Sequence, residues 1–199
     1  MAGQVEICNL ALTKVGDDRI ISIDDDTERA RVLKALWATT VDLEIRSHNW
    51  NFAMARASLA ALLTTPTWGF GTEYQLPADC LRVVQVSDMF LSVSTTDYRG
   101  SQEHPFQIEG RKILTDLDAP LKIRYLKRVT DTTLWDAMFV QAFACRLAHD
   151  ACEKLSQNTT KKQSLAEQYT AAVIAAAGCD AIENPPDFRP DDAWVMVRM

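Results

Sequence analysis

The chain has 199 residues, of which 47% are hydrophobic and 24% charged, a balance that indicates a soluble globular protein and excludes fibrous and disordered classes. Its 27 acidic and 21 basic side chains give a formal net charge of −6 at pH 7, which disfavours specific binding to nucleic-acid phosphates because such binding depends on cationic contacts. No run reaches the roughly 18 consecutive apolar residues that a membrane span needs, so we expect no membrane partner.

The N-terminal third has helical spacing. Its first apolar stripe consists of Val5, Cys8, Leu12 and Val15, which predicts a helix that ends at Gly16. The acidic turn at residues 24–28 can cap a second helix, for which apolar residues spaced by four indicate residues 30–46. Residues 50–63 are ambiguous, since their start alternates like a strand and their end is rich in alanine; we favour a strand at the start.

Residues 65–130 change to turn and strand signals. A β-branched run at residues 81–86 and an alternating run at 121–126 predict two strands, and residues 89–93 allow another. Residues 107–114 predict a hairpin that turns at Glu109-Gly110, because glycine tolerates the positive φ of a tight turn. We predict four or five short strands in one small antiparallel sheet, inserted between helices.

The last third returns to helical spacing. Asp131 is the expected cap of a helix that continues to about Leu155, and Thr160 with Gln163 forms a capping-box pattern for a second helix. Beyond Ile182, three prolines at 185, 186 and 190 exclude a helix. The final residues place large apolar side chains on a segment without a local core, so we interpret residues 184–199 as a docking arm. The alternative is that this segment folds back on its own domain.

These patterns predict an α+β fold, a helical bundle with an inserted small antiparallel β domain and an extended C-terminal arm. The helical domain takes residues 1–64 and 131–183, the β-rich insertion takes 65–130, and the arm takes 184–199.

Motifs for catalysis and metal binding are weak. His149, Cys152 and Glu153 can share one helix face, but the spacing supplies no fourth zinc ligand. The sequence contains neither a phosphate-binding loop nor a serine-nucleophile motif, so we expect no catalytic residue, metal or cofactor. Five cysteines without a CxxC pair indicate free, buried thiols in a reducing compartment. The start of the chain lacks signal-peptide features, so we expect synthesis and assembly in host cytoplasm.

Several segments together resemble a known family. The first two are Ile7-Cys8-Asn9-Leu10-Ala11-Leu12 and Trp50-Asn51-Phe52-Ala53, and the most specific is Tyr74-Gln75-Leu76-Pro77-Ala78-Asp79-Cys80-Leu81-Arg82-Val83. Residues 108–116, Tyr125 and the junction from residue 129 to 136 follow in order. In order and spacing these segments resemble the tail tubular protein A family, the head-to-tail adaptors of short-tailed bacteriophages.

The resemblance implies a structural virion protein of the tail, not an enzyme. Such adaptors form a ring, usually dodecameric, between the capsid portal protein and the tail nozzle protein, and DNA passes through the ring without specific binding. The resemblance implies that the arm contacts the portal, through Phe188, Arg189, Trp194, Val195 and Arg198. The inserted sheet would then face the nozzle, and the candidate nozzle or subunit contacts are Phe70, Tyr74, Lys122 and Arg124.

Two alternatives stay open. A head-completion or connector protein of a long-tailed phage would share a small helical core, usually without so large a β insertion. An enzyme with an acidic site would belong to a different class, and would depend on a carboxylate such as Glu109, Asp116 or Asp131. The pair Lys122 and Arg124, predicted to lie on one strand face, is open to interpretation as a contact surface or as a solvated sheet face.

Overall fold

The computed structural model describes residues 2–87 and 106–183. The further strand predicted at residues 89–93 and the arm predicted at residues 184–199 lie outside these ranges. Within them, the chain forms four α-helices and two small antiparallel sheets, which confirms the predicted α+β class.

The described chain divides into two compact units. The first, which we call the helical unit, contains residues 2–54 and 126–183, and the second, the sheet unit, contains the described residues of 55–125. The sequence analysis placed these boundaries after residues 64 and 130. They fall earlier in the structure because residues 55–59 belong to a strand that pairs within the sheet unit.

The helices are α1 (Gln4–Val15), α2 (Glu28–Ser47), α3 (Ala137–Ser156) and α4 (Thr159–Glu183). The first ends where it was predicted to end, because Gly16 takes φ 87° and donates its backbone N–H to the Leu12 carbonyl at 2.8 Å. Thr27 caps α2 by accepting the backbone N–H of Ala30 at 3.4 Å. Both helix boundaries therefore follow from local capping chemistry.

Three local predictions are corrected. Asp131 caps a short 3₁₀ helix (Thr132–Leu134), and α3 is capped instead by Asp136, whose Oδ1 accepts the backbone N–H groups of Met138 and Phe139 at 2.8 and 3.3 Å. At the start of α4, Asn158 and not Thr160 accepts a backbone N–H, that of Lys161, at 3.0 Å. The strand expected at residue 50 begins only at Met54, since residues 51–53 form another 3₁₀ turn.

Aromatic side chains from α2, α3 and the segments before α3 fill the core of the helical unit. The rings in mutual contact are those of Trp37, Trp50, Phe52, Trp135, Phe139 and Phe143. Two of the indole N–H groups are satisfied by carbonyls, Trp50 by that of Glu44 at 2.8 Å and Trp135 by that of Val129 at 3.1 Å. These rings bury large apolar areas, and within the described residues no buried side-chain donor lacks a partner.

Six strands form the sheets. They are β1 (Met54–Leu59), β2 (Thr72–Gln75), β3 (Cys80–Val86), β4 (Phe106–Glu109), β5 (Lys112–Thr115) and β6 (Leu121–Lys127). Their orders are β1-β6-β3 and β2-β5-β4, so the prediction of a single sheet was wrong. The predicted hairpin is confirmed as β4 and β5, with Gly110 at φ 58° in its turn. Residues of both sheets share one core: Tyr74, Leu76, Cys80, Ile113, Leu121, Ile123 and Tyr125.

Candidate functional site

A groove lies on the face of the β2-β5-β4 sheet that is turned away from the core of the sheet unit. The strand register places Glu73, Leu114 and Gln107 side by side in one row. The next row contains the core residues Tyr74 and Ile113. Because successive side chains on a strand alternate between faces, the first row points away from that core, and it forms the floor of the groove.

A loop forms the wall of this groove. Its lining residues are Pro66, Thr67, Trp68, Gly69 and Phe70, and the open groove has a volume of about 380 Å³. Asp116, just after β5, holds the end of the loop by accepting the backbone N–H of Gly71 at 2.7 Å. Trp68 is 85% exposed, and nearby Leu63 is fully exposed. The wall therefore presents an aromatic and apolar surface to solvent.

The charge of the groove is acidic. Two carboxylates line it, Glu73 in the floor and Glu109 at the exposed edge strand, and Lys112 lies opposite Glu109 in the strand register. Glu73 accepts hydrogen bonds from Lys112 Nζ at 2.6 Å and from Thr64 Oγ1 at 2.8 Å. The hydrogen bond from Lys112, followed by that from Thr64, lowers the pKa of the Glu73 carboxyl. Glu73 is thus fixed in place, and Glu109 is the carboxylate that faces solvent.

An aromatic wall beside carboxylates suits one class of ligand. Peptide segments rich in proline dock onto aromatic-lined grooves, and an exposed carboxylate favours a cationic side chain next to them. The volume also lies in the range of ordinary binding clefts. We therefore regard this groove as the candidate functional site.

The sequence-predicted contact residues have different positions. Phe70 is half-buried in the groove wall, whereas Lys122 is exposed and Arg124 half-buried on β6. Leu121, Ile123 and Tyr125 are buried and alternate with the two basic residues, which therefore share the other face of the strand. The portal-contact candidates, Phe188, Arg189, Trp194, Val195 and Arg198, lie outside the described residues.

The position of Tyr74 corrects its prediction as a nozzle or subunit contact. Its side chain is fully buried, its hydroxyl donates to the Leu117 carbonyl at 2.6 Å, and burial raises its pKa. The residue therefore belongs to the core of the sheet unit, and it offers no surface to a nozzle or to another subunit.

A second polar constellation lies in the helical unit. Glu44 on α2 is only 2% exposed, and its carboxylate accepts hydrogen bonds from the hydroxyl of Tyr169 on α4. Arg146 on α3 lies 4.0 Å from Glu44, binds Asp150 at 2.8 Å, and places its guanidinium 5.4 Å from the centre of the Tyr169 ring. We call these residues, with His149 on Asp150 at 2.9 Å, the buried polar cluster.

Burial decides the electrostatics of this cluster. It raises the pKa of Glu44, although the hydrogen bond from Tyr169 and the charge of Arg146 act in the opposite direction. Burial, with the charge of Glu44, raises the pKa of Tyr169 to about 12. Since the Glu44 carboxylate is almost inaccessible to solvent, the cluster is suited to joining three helices rather than to binding a substrate.

The sequence analysis missed the buried polar cluster. One signal was present: Glu44 is three residues after Val41 and next to Ile45, so it continues the apolar stripe of α2. A carboxylate on such a stripe must find a donor when it is buried. Its partners are on helices more than 100 residues further along the chain, and local spacing does not identify them.

The cysteine and metal expectations can now be compared with the structure. Four of the five free cysteines are buried, as predicted, but Cys179 on α4 is exposed. Near His149, the Cys152 sulfur contacts the Ser156 hydroxyl at 3.2 Å. Among residues 2–87 and 106–183, no group of three or more His, Cys, Asp and Glu side chains could hold a metal ion. In the same ranges, no helix combines the length and apolarity that a membrane span requires.

Helix α4 carries a second apolar surface. Its exposed positions at helical spacing are Ala171, Ile174, Ala175, Gly178 and Ile182. Ile174 and Ile182 are 68% and 82% exposed. We call this set the α4 stripe.

In comparisons with known proteins, no protein-family model matches the chain. No curated protein matches its sequence either. The function is therefore argued from the geometry of the described residues and from the family resemblance of the sequence segments.

Proposed function

We propose that the protein is a ring-forming head-to-tail adaptor of a bacteriophage tail, located in the virion and assembled in host cytoplasm. The observation that carries this proposal is the exposure of large apolar side chains in both units. Trp68 and Leu63 are exposed beside the groove, and Ile174 and Ile182 are exposed on the α4 stripe. Grouped apolar residues on a surface mark sites of contact with other proteins. An adaptor ring needs such contacts in both units.

The family resemblance supports the proposal at the level of the fold. Its most specific segment, residues 74–83, supplies the core residues Tyr74, Leu76 and Cys80. Its next segment supplies Gly110, whose positive φ makes the β4–β5 turn, and Ile113 of the same core. The segments that carry the resemblance therefore supply core and turn residues of the sheet unit.

The charge of the chain fits a DNA conduit. A net charge of −6 gives the ring no general attraction for phosphates, so DNA would pass without being retained. In this proposal the ring is a closed assembly of identical copies, as in the usually dodecameric adaptors that the sequence resembles. Closed rings arise when one surface of a subunit binds a different surface of the next.

The proposed partners are the portal protein and the nozzle protein. Residues 184–199 would contact the portal, with Trp194 and Arg198 of the residue types that most often dominate binding energy. In the sheet unit, Phe70, Lys122 and Arg124 remain the candidate nozzle or subunit contacts.

Deletion of residues 184–199 tests the proposal. The full-length chain should bind purified portal rings and form a ring visible by electron microscopy, whereas the truncated chain should fail to bind. Its helical circular dichroism should be unchanged, because the prolines at 185, 186 and 190 exclude a helix from the deleted segment. A matched control replaces Ile21, which is 91% exposed in the helical unit, by serine, and this variant should bind the portal normally. Normal portal binding by the truncated chain would refute the proposed role of the arm.

The two alternatives predict different observations. A connector of a long-tailed phage would be followed by a long tube, and imaging of the virion distinguishes this from a short nozzle. Two of the three carboxylates proposed for the enzyme alternative have structural roles. Asp116 accepts the backbone N–H of Gly71, and Asp131 caps a 3₁₀ helix. No observation favours it over the adaptor.

A further inference from the structure

We infer that the groove of the sheet unit binds the proline-rich segment 184–190 of a neighbouring copy of this chain. The inference rests on the proposed function, because it names one of the contacts that would close the ring. It reassigns Phe188 and Arg189 from the portal to the groove, and it leaves Trp194, Val195 and Arg198 as the portal contacts.

The groove has the chemistry of a proline-recognition surface. Trp68 and Phe70 provide aromatic faces beside Pro66, and Trp68 is 85% exposed. Segments in the polyproline II conformation lose little conformational entropy when they dock, because proline fixes their backbone beforehand. An aromatic groove therefore gains affinity from such a ligand.

The segment has the complementary chemistry. It reads Asn184-Pro185-Pro186-Asp187-Phe188-Arg189-Pro190. Three prolines favour an extended conformation, and Phe188 adds an aromatic ring that can stack on Trp68 or Phe70. Arg189 adds a guanidinium that forms charge-assisted hydrogen bonds with carboxylates.

The surroundings of the two groove carboxylates indicate which of them would bind Arg189. Glu73 is already held by Lys112 and Thr64, so a new cation gains less from it. Glu109 lines the groove on the exposed edge strand β4. We therefore assign Glu109 as the partner of Arg189.

The length of the segment suits a contact between copies. Helix α4 ends at Glu183, so the segment follows it directly. Seven residues in the polyproline II conformation extend about 22 Å, at roughly 3.1 Å per residue. Segment 184–190 and the groove are different surfaces of one chain. When the contact between them repeats from copy to copy, the copies form a closed ring if the rotation between neighbours allows closure.

Disulfide trapping between two different full-length chains tests this contact. Both chains carry Cys179→Ser, which removes the exposed thiol; one also carries Glu109→Cys and the other Arg189→Cys. After mixing and mild oxidation, we expect a covalent dimer that contains one copy of each chain. In the matched control, the first chain carries Asp118→Cys instead of Glu109→Cys. Asp118 is another exposed acidic residue of the sheet unit. This control should give at least tenfold less dimer.

A second measurement uses charge reversal. Arg189→Glu and Glu109→Arg should each reduce self-association of the full-length chain at least tenfold in sedimentation equilibrium, and mixing the two variants should restore it. If the trapped dimer does not exceed the control, or if mixing restores nothing, the inference is wrong. A chain with both cysteines that forms only an internal disulfide would show docking within one copy, and would equally overturn it.

These outcomes are separate from the test of the adaptor function. A charge-reversed chain that has lost self-association but still binds portal rings through residues 191–199 would support this inference and leave the proposed function intact. Trapping that fails while deletion of residues 184–199 abolishes portal binding would overturn the inference alone.

Discussion

The hydroxyl of Tyr169 donates to both carboxylate oxygens of Glu44, at 2.8 and 3.1 Å, and so joins α4 to α2 inside the helical unit. Arg146 connects α3 to the same pair, at 4.0 Å from Glu44 and over the Tyr169 ring. A buried carboxylate is tolerated only when donors and a counter-charge surround it. The buried polar cluster therefore fixes which residues of the three helices face one another.

Tyr169→Phe should destabilise the protein. The substitution keeps the ring but removes the donor, and the buried Glu44 carboxylate then loses a hydrogen bond that water cannot replace. We expect a loss of about 1–3 kcal/mol in the free energy of unfolding, measured by urea denaturation. In a double-mutant cycle with Glu44→Gln, the two losses should be less than additive. Strict additivity would contradict the proposed coupling.

Glu44→Gln should change how stability depends on pH. Burial raises the pKa of Glu44 in the folded state above its ordinary value, so the folded state holds this proton more tightly than the unfolded state. The stabilising contribution of the group is complete below the ordinary carboxyl pKa, and it is lost as the pH rises through the folded-state pKa. As the pH rises above the ordinary carboxyl pKa of about 4.3, the wild-type unfolding free energy should fall relative to that of the variant. Parallel profiles would contradict this.

Asp136→Ala should weaken the start of α3. Its side chain accepts the backbone N–H groups of Met138 and Phe139, and the loss of such a cap costs about 1 kcal/mol. For a chain of this size we expect the melting temperature to fall by about 2–4 °C. The matched control is Asp131→Ala, which removes only the cap of the 3₁₀ helix Thr132–Leu134. If the control variant melts lower than Asp136→Ala, the assignment of the α3 cap is wrong.

One cysteine should react much faster than the others. Cys179 is exposed, whereas Cys8, Cys80, Cys145 and Cys152 are buried. Burial also raises the pKa of Cys8 to about 12, so little of the reactive thiolate forms. Titration of the folded protein with a thiol reagent should give one fast equivalent, and Cys179→Ser should abolish it. Unfolding in denaturant should expose the remaining thiols, and a fast phase that survives the substitution would contradict the assignment.

The elements that could be predicted from sequence are those that local chemistry determines. Gly16 ends α1 and Gly110 turns the β4–β5 hairpin, because each supplies a positive φ at the required position. The start of α3 shows the limit of this reasoning. Asp131 and Asp136 are equally good caps by sequence, and tertiary packing selects the second. The Trp135 ring stacks on Trp37 at 5.9 Å and its N–H binds the Val129 carbonyl, which holds residue 135 in an extended conformation before the helix.

Most of the structural features that the sequence did not predict depend on contacts between residues that are distant in sequence. Glu44 and Tyr169 are separated by 125 residues, and no periodicity within one helix identifies such a pair. In the sheet unit, residues 72–75 were assigned to no strand from the sequence, yet they form β2 because they pair with β5. That pairing creates the second sheet, buries Tyr74 and leaves Glu73 on the groove side. The groove could not be predicted for the same reason, since its floor consists of three strands whose register depends on the assembled sheet.

The arrangement of β1 and β6 has a consequence for how this chain can evolve. The first strand of the sheet unit and its last are neighbours in the same antiparallel sheet, so the 71-residue excursion from Ala55 to Tyr125 begins and returns about 5 Å apart. Because its two ends are neighbours, the segment from Ala55 to Tyr125 connects the flanking parts of the chain as a short hairpin would. The entropic penalty of closing it grows only slowly with its length. Recombination can therefore lengthen, shorten or exchange this inserted segment while the four helices keep the same connection.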